Sequence, residues 1–249
     1  MLHTGGGSTQ VVGFIPMRQP KGNAVNNLSK KALIGLLRFQ VILAFLLFLP
    51  AWSLHFWEAW LYWILFFVSA LIITLYFLKH DPRLIERRLA FGPSAEPEKS
   101  QKIIQAIVGV LTCALFTTPG FDYRFHWSSV PTLVVLIADA LVVLGLLVVF
   151  FVFRKNSHAA SVVKVEADQP VISTGPYQFV RHPMYAGAIL MFLATPFALG
   201  SLWALLVAIL LCGVIIVRLL VEERYLSANL PGYNVYCQKV RYRLIPRVW

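Results

Sequence analysis

Long apolar runs alternate along this chain with shorter polar segments that carry most of its charge. Runs of this length cross about 30 Å of hydrocarbon when they are helical. The pattern therefore predicts an all-α fold, a polytopic transmembrane helical bundle with a cytosolic C-terminal helical segment. About six spans are expected, at residues 32–54, 57–78, 103–118, 131–153, 184–199 and 201–221.

Turn-forming residues set the expected ends of several spans. Pro119-Gly120 is expected to end a short third span, so that residues 121–127 form an aromatic outer loop. Pro183 is expected to begin the fifth span, because proline suits the first turn of a helix. The sixth span is expected to continue to about Leu230, where Pro231-Gly232 ends it.

Composition supports a membrane protein. The chain has 249 residues, of which 58% are hydrophobic and only 13% charged, whereas soluble domains carry about a quarter charged residues. We expect three regions: a flexible cytosolic tail at 1–31, the first four membrane helices at 32–153, and a region at 154–249 that contains the hairpin 184–221. The three cysteines have no metal-ligand spacing, and no metal site is expected.

The net charge of +11 raises the possibility of a nucleic-acid partner, but the distribution of Lys and Arg argues against one. These residues lie in the N-terminal tail, the 79–102 and 154–183 loops and the C-terminal tail, while the loops expected on the other side hold only Arg124. This asymmetry is typical of the positive-inside rule. It predicts that both termini are cytosolic and that the basic loops contact anionic membrane lipids.

Two polar clusters lie at the open ends of the last hairpin. Arg181 and His182 precede the fifth span, whose N-terminus carries the positive end of the helix dipole. Glu222 and Glu223 lie near the end of the sixth span, and Arg218 shares a helix face with Glu222 four residues later. This pairing fits a zwitterionic ligand such as S-adenosylmethionine, although complementarity alone does not select a methyl donor over a nucleotide.

The residue pattern favours a methyl donor over a nucleotide as the ligand. Gly-Pro-Tyr-x-x-Val-Arg-His-Pro-x-Tyr-x-Gly at 175–187, Glu-Glu at 222–223 and Tyr-x-x-Tyr-x-x-x-Val at 233–240 resemble the isoprenylcysteine carboxyl methyltransferase family, which is related to the phospholipid N-methyltransferases. The resemblance covers about 154–249 and implies a methyltransferase-like catalytic region there. It implies that S-adenosylmethionine is bound by Gly175, Tyr177, His182, Pro183, Tyr185, Glu222 and Glu223.

The acceptor is expected to be a lipophilic small molecule or lipid. If it is the carboxylate of a prenylcysteine-like substrate, which we favour, Arg181 or Arg218 is the expected catalytic group that holds it. If it is a phospholipid amine, His182, Glu222 or Tyr185 has to act as a base. Two other classes remain open, an NADPH-dependent sterol-type reductase with a similar Arg-His-Pro block and a non-enzymatic transporter or scaffold.

Asp139 lies well inside the fourth expected span. An acidic residue inside a membrane span is costly, so its presence there suggests a functional role. A protonated carboxyl that donates a hydrogen bond between packed helices is the alternative.

Overall fold

The computed structural model describes residues 22–89, 92–96, 99–159, 165 and 169–249. Over these residues the chain forms α-helices and two short 3₁₀ turns, with no strand, which confirms the all-α prediction. The α-helices are α1 Gly22–Ala51, α2 Trp57–His80, α3 Pro82–Leu89, α4 Lys99–Phe125, α5 Thr132–Lys155, α6 Pro183–Ala198, α7 Trp203–Asn229 and α8 Tyr233–Lys239. The 3₁₀ turns are Pro93–Ala95 and Gly175–Gln178.

Five of the described helices, α1, α2, α4, α5 and α7, are long and apolar enough to cross a membrane. The remaining expected span is the fifth, which corresponds to α6; this helix has 16 residues and is therefore about 24 Å long, shorter than the hydrocarbon core. The chain is a multi-pass membrane protein. The cytosolic position of both termini stays a prediction.

The short helix α6 lies inside the bundle, where it packs against α5 and α7. Glycines let it approach α5 closely. A Cβ added to Gly145 would lie 2.7 Å from the carbonyl oxygen of Gly187, and one added to Gly187 would lie 2.9 Å from that of Gly145. Contacts this close exclude any side chain at either position, so α5 holds the start of α6 in a fixed place.

Helix α4 corrects the prediction for the third span. It continues through Pro119 to Phe125, so the expected stop at Pro119-Gly120 and the expected loop at 121–127 are wrong. The hydroxyls of Thr117 and Thr118 donate to the carbonyls of Cys113 and Ala114 at 2.9 and 2.8 Å in the turn before the proline. Proline is tolerated in membrane helices when such local bonds and neighbouring helices support the backbone.

The start of the first helix also differs from the sequence prediction. Helix α1 begins at Gly22 rather than at residue 32, so the last part of the predicted tail is helical; residues 1–21 lie outside the described residues. The 79–102 connector contains the amphipathic helix α3, whose Leu84 is completely buried against the bundle.

One end of the bundle is fastened by a buried carboxylate. Asp122, near the end of α4, is 1% exposed. It accepts hydrogen bonds from the backbone N–H and hydroxyl of Ser128 at 2.8 and 2.5 Å and from the hydroxyl of Ser201 at 2.5 Å. It therefore ties α4 to the segment before α5 and to the α6–α7 connection. We call this the far end, because the cleft described below lies at the other end of α6 and α7.

Asp139 is buried in α5, with 3% exposure. Neither of its carboxyl oxygens has a hydrogen-bond partner among the described residues. Among the described residues the structure therefore shows neither the hydrogen bond between packed helices nor a place for Asp139 in the candidate site.

Candidate functional site

The site is built where α6 begins. The predicted start at Pro183 is confirmed, with His182 as the residue before the helix. The turn Gly175–Gln178 leads into it, and Gly175 has φ +65°. A Cβ on Gly175 would also lie 2.7 Å from the side chain of Lys155. Both the backbone conformation and the contact therefore favour glycine at this position.

The C-terminal segment after α8 holds the two residues before α6. The backbone N–H of Arg181 donates to the carbonyl of Tyr242, and that of His182 donates to the carbonyl of Arg243, both at 2.9 Å. The chain end is thereby fixed beside the start of α6. This contact joins sequence positions about 60 apart, so local patterns could not predict it.

A cleft opens beside this start and leaves about 820 Å³ of empty space, part of it open solvent. Six residues singled out from the sequence line it: Tyr177, Arg181, His182, Pro183, Tyr185 and Glu222. Tyr233 and Tyr236 of α8 and Asn156 after α5 also line it. The two sequence clusters therefore meet at one cleft, the first through Arg181 and His182 and the second through Glu222, with aromatic groups beside them.

Glu222 is held by Tyr185. The Tyr185 hydroxyl donates to Glu222 Oε2 at 2.5 Å and accepts from Arg218 Nε at 3.3 Å. Tyr185 thus stands between the arginine and the glutamate. Arg218 does not line the cleft; it is 7% exposed and lies behind Tyr185.

Glu223 points away from the cleft toward the C-terminal segment. Its Oε1 is 2.7 Å from Nη1 of Arg181, and its Oε2 accepts from Nε of Arg243 at 2.7 Å. His182 Nε2 is 3.6 Å from Oε1 of the same carboxylate. Glu223 is 8% exposed. Its contacts with Arg181, His182 and Arg243 join the start of α6 and the C-terminal segment to α7.

The tyrosines form the aromatic wall. The Tyr177 hydroxyl accepts from Asn156 Nδ2 at 2.8 Å, and the Tyr236 hydroxyl donates to the Tyr177 carbonyl at 2.7 Å. Burial raises the pKa of Tyr177 to about 12, and it raises the pKa values of Tyr233 and Tyr236 as well. All three side chains are therefore neutral at physiological pH.

Three residues assigned to the site from the sequence lie outside the cleft wall: Gly175, Arg218 and Glu223. Sequence reasoning missed Glu96 and Gln105, which contact Arg218, and Asn156, which contacts Tyr177. Glu96 lies in a mixed-charge connector with no motif around it, so nothing in the sequence marked it. Among the described residues, no group of three or more His, Cys, Asp and Glu is placed to hold a metal.

Residues 133–231 match the model of the family described as phospholipid methyltransferase. This stretch, under half of the chain, contains most of α5, all of α6 and α7, and the two polar clusters. The match supports a membrane methyltransferase related to the family that the sequence resembles, and such enzymes generally use S-adenosylmethionine. No curated protein matches the chain.

Proposed function

We propose that this protein is an integral membrane methyltransferase that binds S-adenosylmethionine in the cleft at the start of α6 and methylates a lipophilic acceptor. The observation that carries the proposal is the meeting of two polar clusters, about 40 residues apart in sequence, on the walls of one cleft. The family match over 133–231 supports the same reaction class.

The donor set of the cleft fits this cofactor. Glu222 supplies a carboxylate for an ammonium or for ribose hydroxyls, and Arg181 and His182 supply cationic or donor groups for a carboxylate. Tyr177, Tyr233 and Tyr236 supply neutral aromatic faces, which attract a sulfonium or stack on an adenine. When bound, the cofactor supplies an activated methyl group, so the residues of the chain mainly position the reactants and exclude water.

The first acceptor that we propose is the carboxylate of a prenylcysteine-like molecule, held by Arg181. Arg181 lines the cleft, and its guanidinium already pairs with Glu223 at 2.7 Å. In this form of the proposal Arg181 shares its remaining donors with the acceptor. The other candidate arginine, Arg218, acts from behind Tyr185 rather than by touching the acceptor.

The second acceptor that we propose is the amine of a phospholipid. Two observations favour it: the matching family is described as phospholipid methyltransferase, and both candidate arginines are already engaged by glutamates. An ammonium has to lose a proton before it attacks the methyl carbon. Glu222 lines the cleft as a carboxylate held by Tyr185 and is the group that we assign to accept that proton.

The pH dependence of the rate separates the two acceptors. With cofactor saturating, a carboxylate acceptor gives a flat rate between about pH 6 and 9, because it is ionised throughout. An amine gives a rate that rises across the same window. The assay follows transfer of a labelled methyl group to prenylcysteine analogues and to aminophospholipids in parallel, and transfer to neither would contradict both assignments.

The competing reductase is tested by ligand stabilisation. A ligand that binds the folded protein raises its thermal denaturation midpoint by mass action. S-Adenosylhomocysteine is expected to raise the midpoint, and NADPH is expected to leave it unchanged. Stabilisation by NADPH alone would replace the methyltransferase with a reductase, and stabilisation by neither would favour a protein without an enzymatic cofactor.

A further inference from the structure

A buried glutamate outside both sequence clusters connects to the cleft. Glu96 directly follows the 3₁₀ turn Pro93–Ala95, and its side chain is completely buried. Its Oε1 accepts from Nη2 of Arg218 at 2.6 Å. A buried ion pair of this kind keeps its partner in place, because an arginine left without a counter-charge in the interior is costly.

Arg218 connects Glu96 to Gln105 and to Tyr185. Its Nη1 donates to Gln105 Oε1 at 2.6 Å, and its Nε donates to the Tyr185 hydroxyl at 3.3 Å. The guanidinium is planar and presents its donors in a rigid fork. Contacts with Glu96 and Gln105 on its two terminal nitrogens therefore determine where Nε points.

The direction of the Tyr185 hydroxyl follows from that contact. The oxygen accepts from Arg218, so the hydroxyl proton is left to donate to Glu222 Oε2, at 2.5 Å. A chain of donors thus runs in one direction, from Arg218 through Tyr185 to the carboxylate that lines the cleft.

The charge of Glu96 also prevents a competing contact. Arg218 and Glu222 are four residues apart on α7 and share a helix face, a spacing at which arginine and glutamate attract each other. Glu96 engages the guanidinium at 2.6 Å, and the Tyr185 hydroxyl lies between Arg218 and Glu222. If the charge of Glu96 is removed, we expect Arg218 to move toward Glu222 and the carboxylate to turn from the cleft.

We propose that Glu96 is a positioning residue, which acts through Arg218 and Tyr185 to hold the Glu222 carboxylate in the orientation that binds the cofactor. This inference rests on the proposed function of the cleft. It extends the site beyond the two sequence clusters and beyond residues 133–231, to a connector before α4.

The test is a double-mutant cycle on S-adenosylhomocysteine affinity, measured by calorimetry on the full-length protein in detergent. Glu96→Gln keeps the size of the side chain and removes its charge. We expect it to raise the Kd about 5- to 10-fold, because it acts through one charged contact. Glu222→Gln is expected to raise the Kd by at least as much. In the double variant the Kd is expected to equal that of Glu222→Gln alone.

The control variant is Glu86→Gln, which removes an exposed glutamate of α3 and is expected to leave the Kd unchanged. If Glu96→Gln does not fold, Glu96→Asp takes its place, since it keeps the charge but shortens the reach to Arg218. Its effect on the Kd has to vanish in the Glu222→Gln background as well.

Each outcome has a distinct meaning. A wild-type protein that does not bind S-adenosylhomocysteine overturns the proposed function and this inference together. A wild-type protein that binds, with effects of Glu96 and Glu222 that multiply in the double variant, overturns only the inference, since a general structural role of Glu96 gives independent effects. An unchanged Kd in Glu96→Gln overturns it too.

Discussion

The two ends of the bundle each contain a carboxylate near the end of a helix, buried in the case of Asp122 and half-buried in the case of Glu222, and the two carboxylates have different neighbours. At the far end, Asp122 accepts three hydrogen bonds, from the backbone N–H and hydroxyl of Ser128 and from the hydroxyl of Ser201. At the cleft end, Glu222 accepts from Tyr185 and also lines the cleft. Its neighbour Glu223 forms ion pairs with Arg181 and Arg243.

The difference shows how to separate a structural carboxylate from a functional one. Asp122 is engaged by hydrogen bonds and Glu223 by ion pairs with Arg181 and Arg243, and each carboxylate joins chain segments that are distant in sequence. Glu222 is oriented by one donor and faces a space lined by polar and aromatic groups. A polar group that a neighbour orients toward a cleft, as Tyr185 orients Glu222, is the feature that favours a ligand, whereas burial and charge alone do not.

The largest expected effect concerns Asp122. Asp122→Ala removes the acceptor for three donors, one on buried Ser201 and two on half-buried Ser128, and each hydrogen bond to a charged group contributes about 1.5–3 kcal/mol. We expect the free energy of unfolding to fall by about 3 kcal/mol, seen as a lower thermal denaturation midpoint in detergent. The affinity for S-adenosylhomocysteine, measured below that midpoint, is expected to be unchanged.

Ser128→Ala is the matched control for this variant. It removes the hydroxyl that donates to Asp122 but keeps the backbone N–H of residue 128 as a donor, so it is expected to lower the midpoint by less than Asp122→Ala does. A loss of ligand affinity comparable to that of a cleft variant would show that the far end is coupled to the cleft and would contradict the comparison.

The next effect concerns Glu223. Glu223→Ala removes the counter-charge of Arg181 and Arg243, and it is expected to lower the free energy of unfolding by about 2 kcal/mol. Because those contacts hold the C-terminal segment, hydrogen exchange is expected to accelerate in residues 241–249. The far end around Asp122 is expected to exchange at the wild-type rate, and equal acceleration at both ends would contradict a local role.

The smallest effect is a pH dependence. The pKa of Tyr177 is raised by burial to about 12, so the folded state favours the neutral phenol. Its contribution to stability is fully present below about pH 10, the ordinary value, and is lost as the pH rises through about 12. We expect the thermal midpoint to fall across this window, and to fall less steeply in Tyr177→Phe. An identical fall in both proteins would show that the buried phenol is not responsible.

Much of the fold could be predicted from the sequence, because an apolar run of this length crosses a membrane as an α-helix, which satisfies its backbone hydrogen bonds internally. The start of α6 at Pro183 and the end of α7 near Leu230 depended on local proline and glycine signals and are confirmed. Pro119 misled the prediction, because helix support around it comes from tertiary contacts: a Cβ on Gly120 would lie 2.7 Å from the carbonyl of Leu47. Local rules do not include that packing.

The site shows the same division between local and distant information. Six residues of the cleft wall were predicted from two short motifs, whereas Asn156, Glu96 and the backbone contacts with the C-terminal segment depend on the folded chain. Arg218 was assigned next to Glu222 by helix spacing, and the structure inserts Tyr185 between them. Spacing on one helix therefore predicted proximity and could not predict the intervening group.

Direct titration of the purified protein with S-adenosylhomocysteine tests the central claim, that the cleft beside α6 holds the cofactor. Calorimetry compares the wild type with Glu222→Gln in the cleft and with Ser128→Ala at the far end. We predict binding by the wild type and by Ser128→Ala with equal affinity, and a loss of about 1–3 kcal/mol in Glu222→Gln. Equal affinity in all three proteins, or no binding by the wild type, would contradict the account.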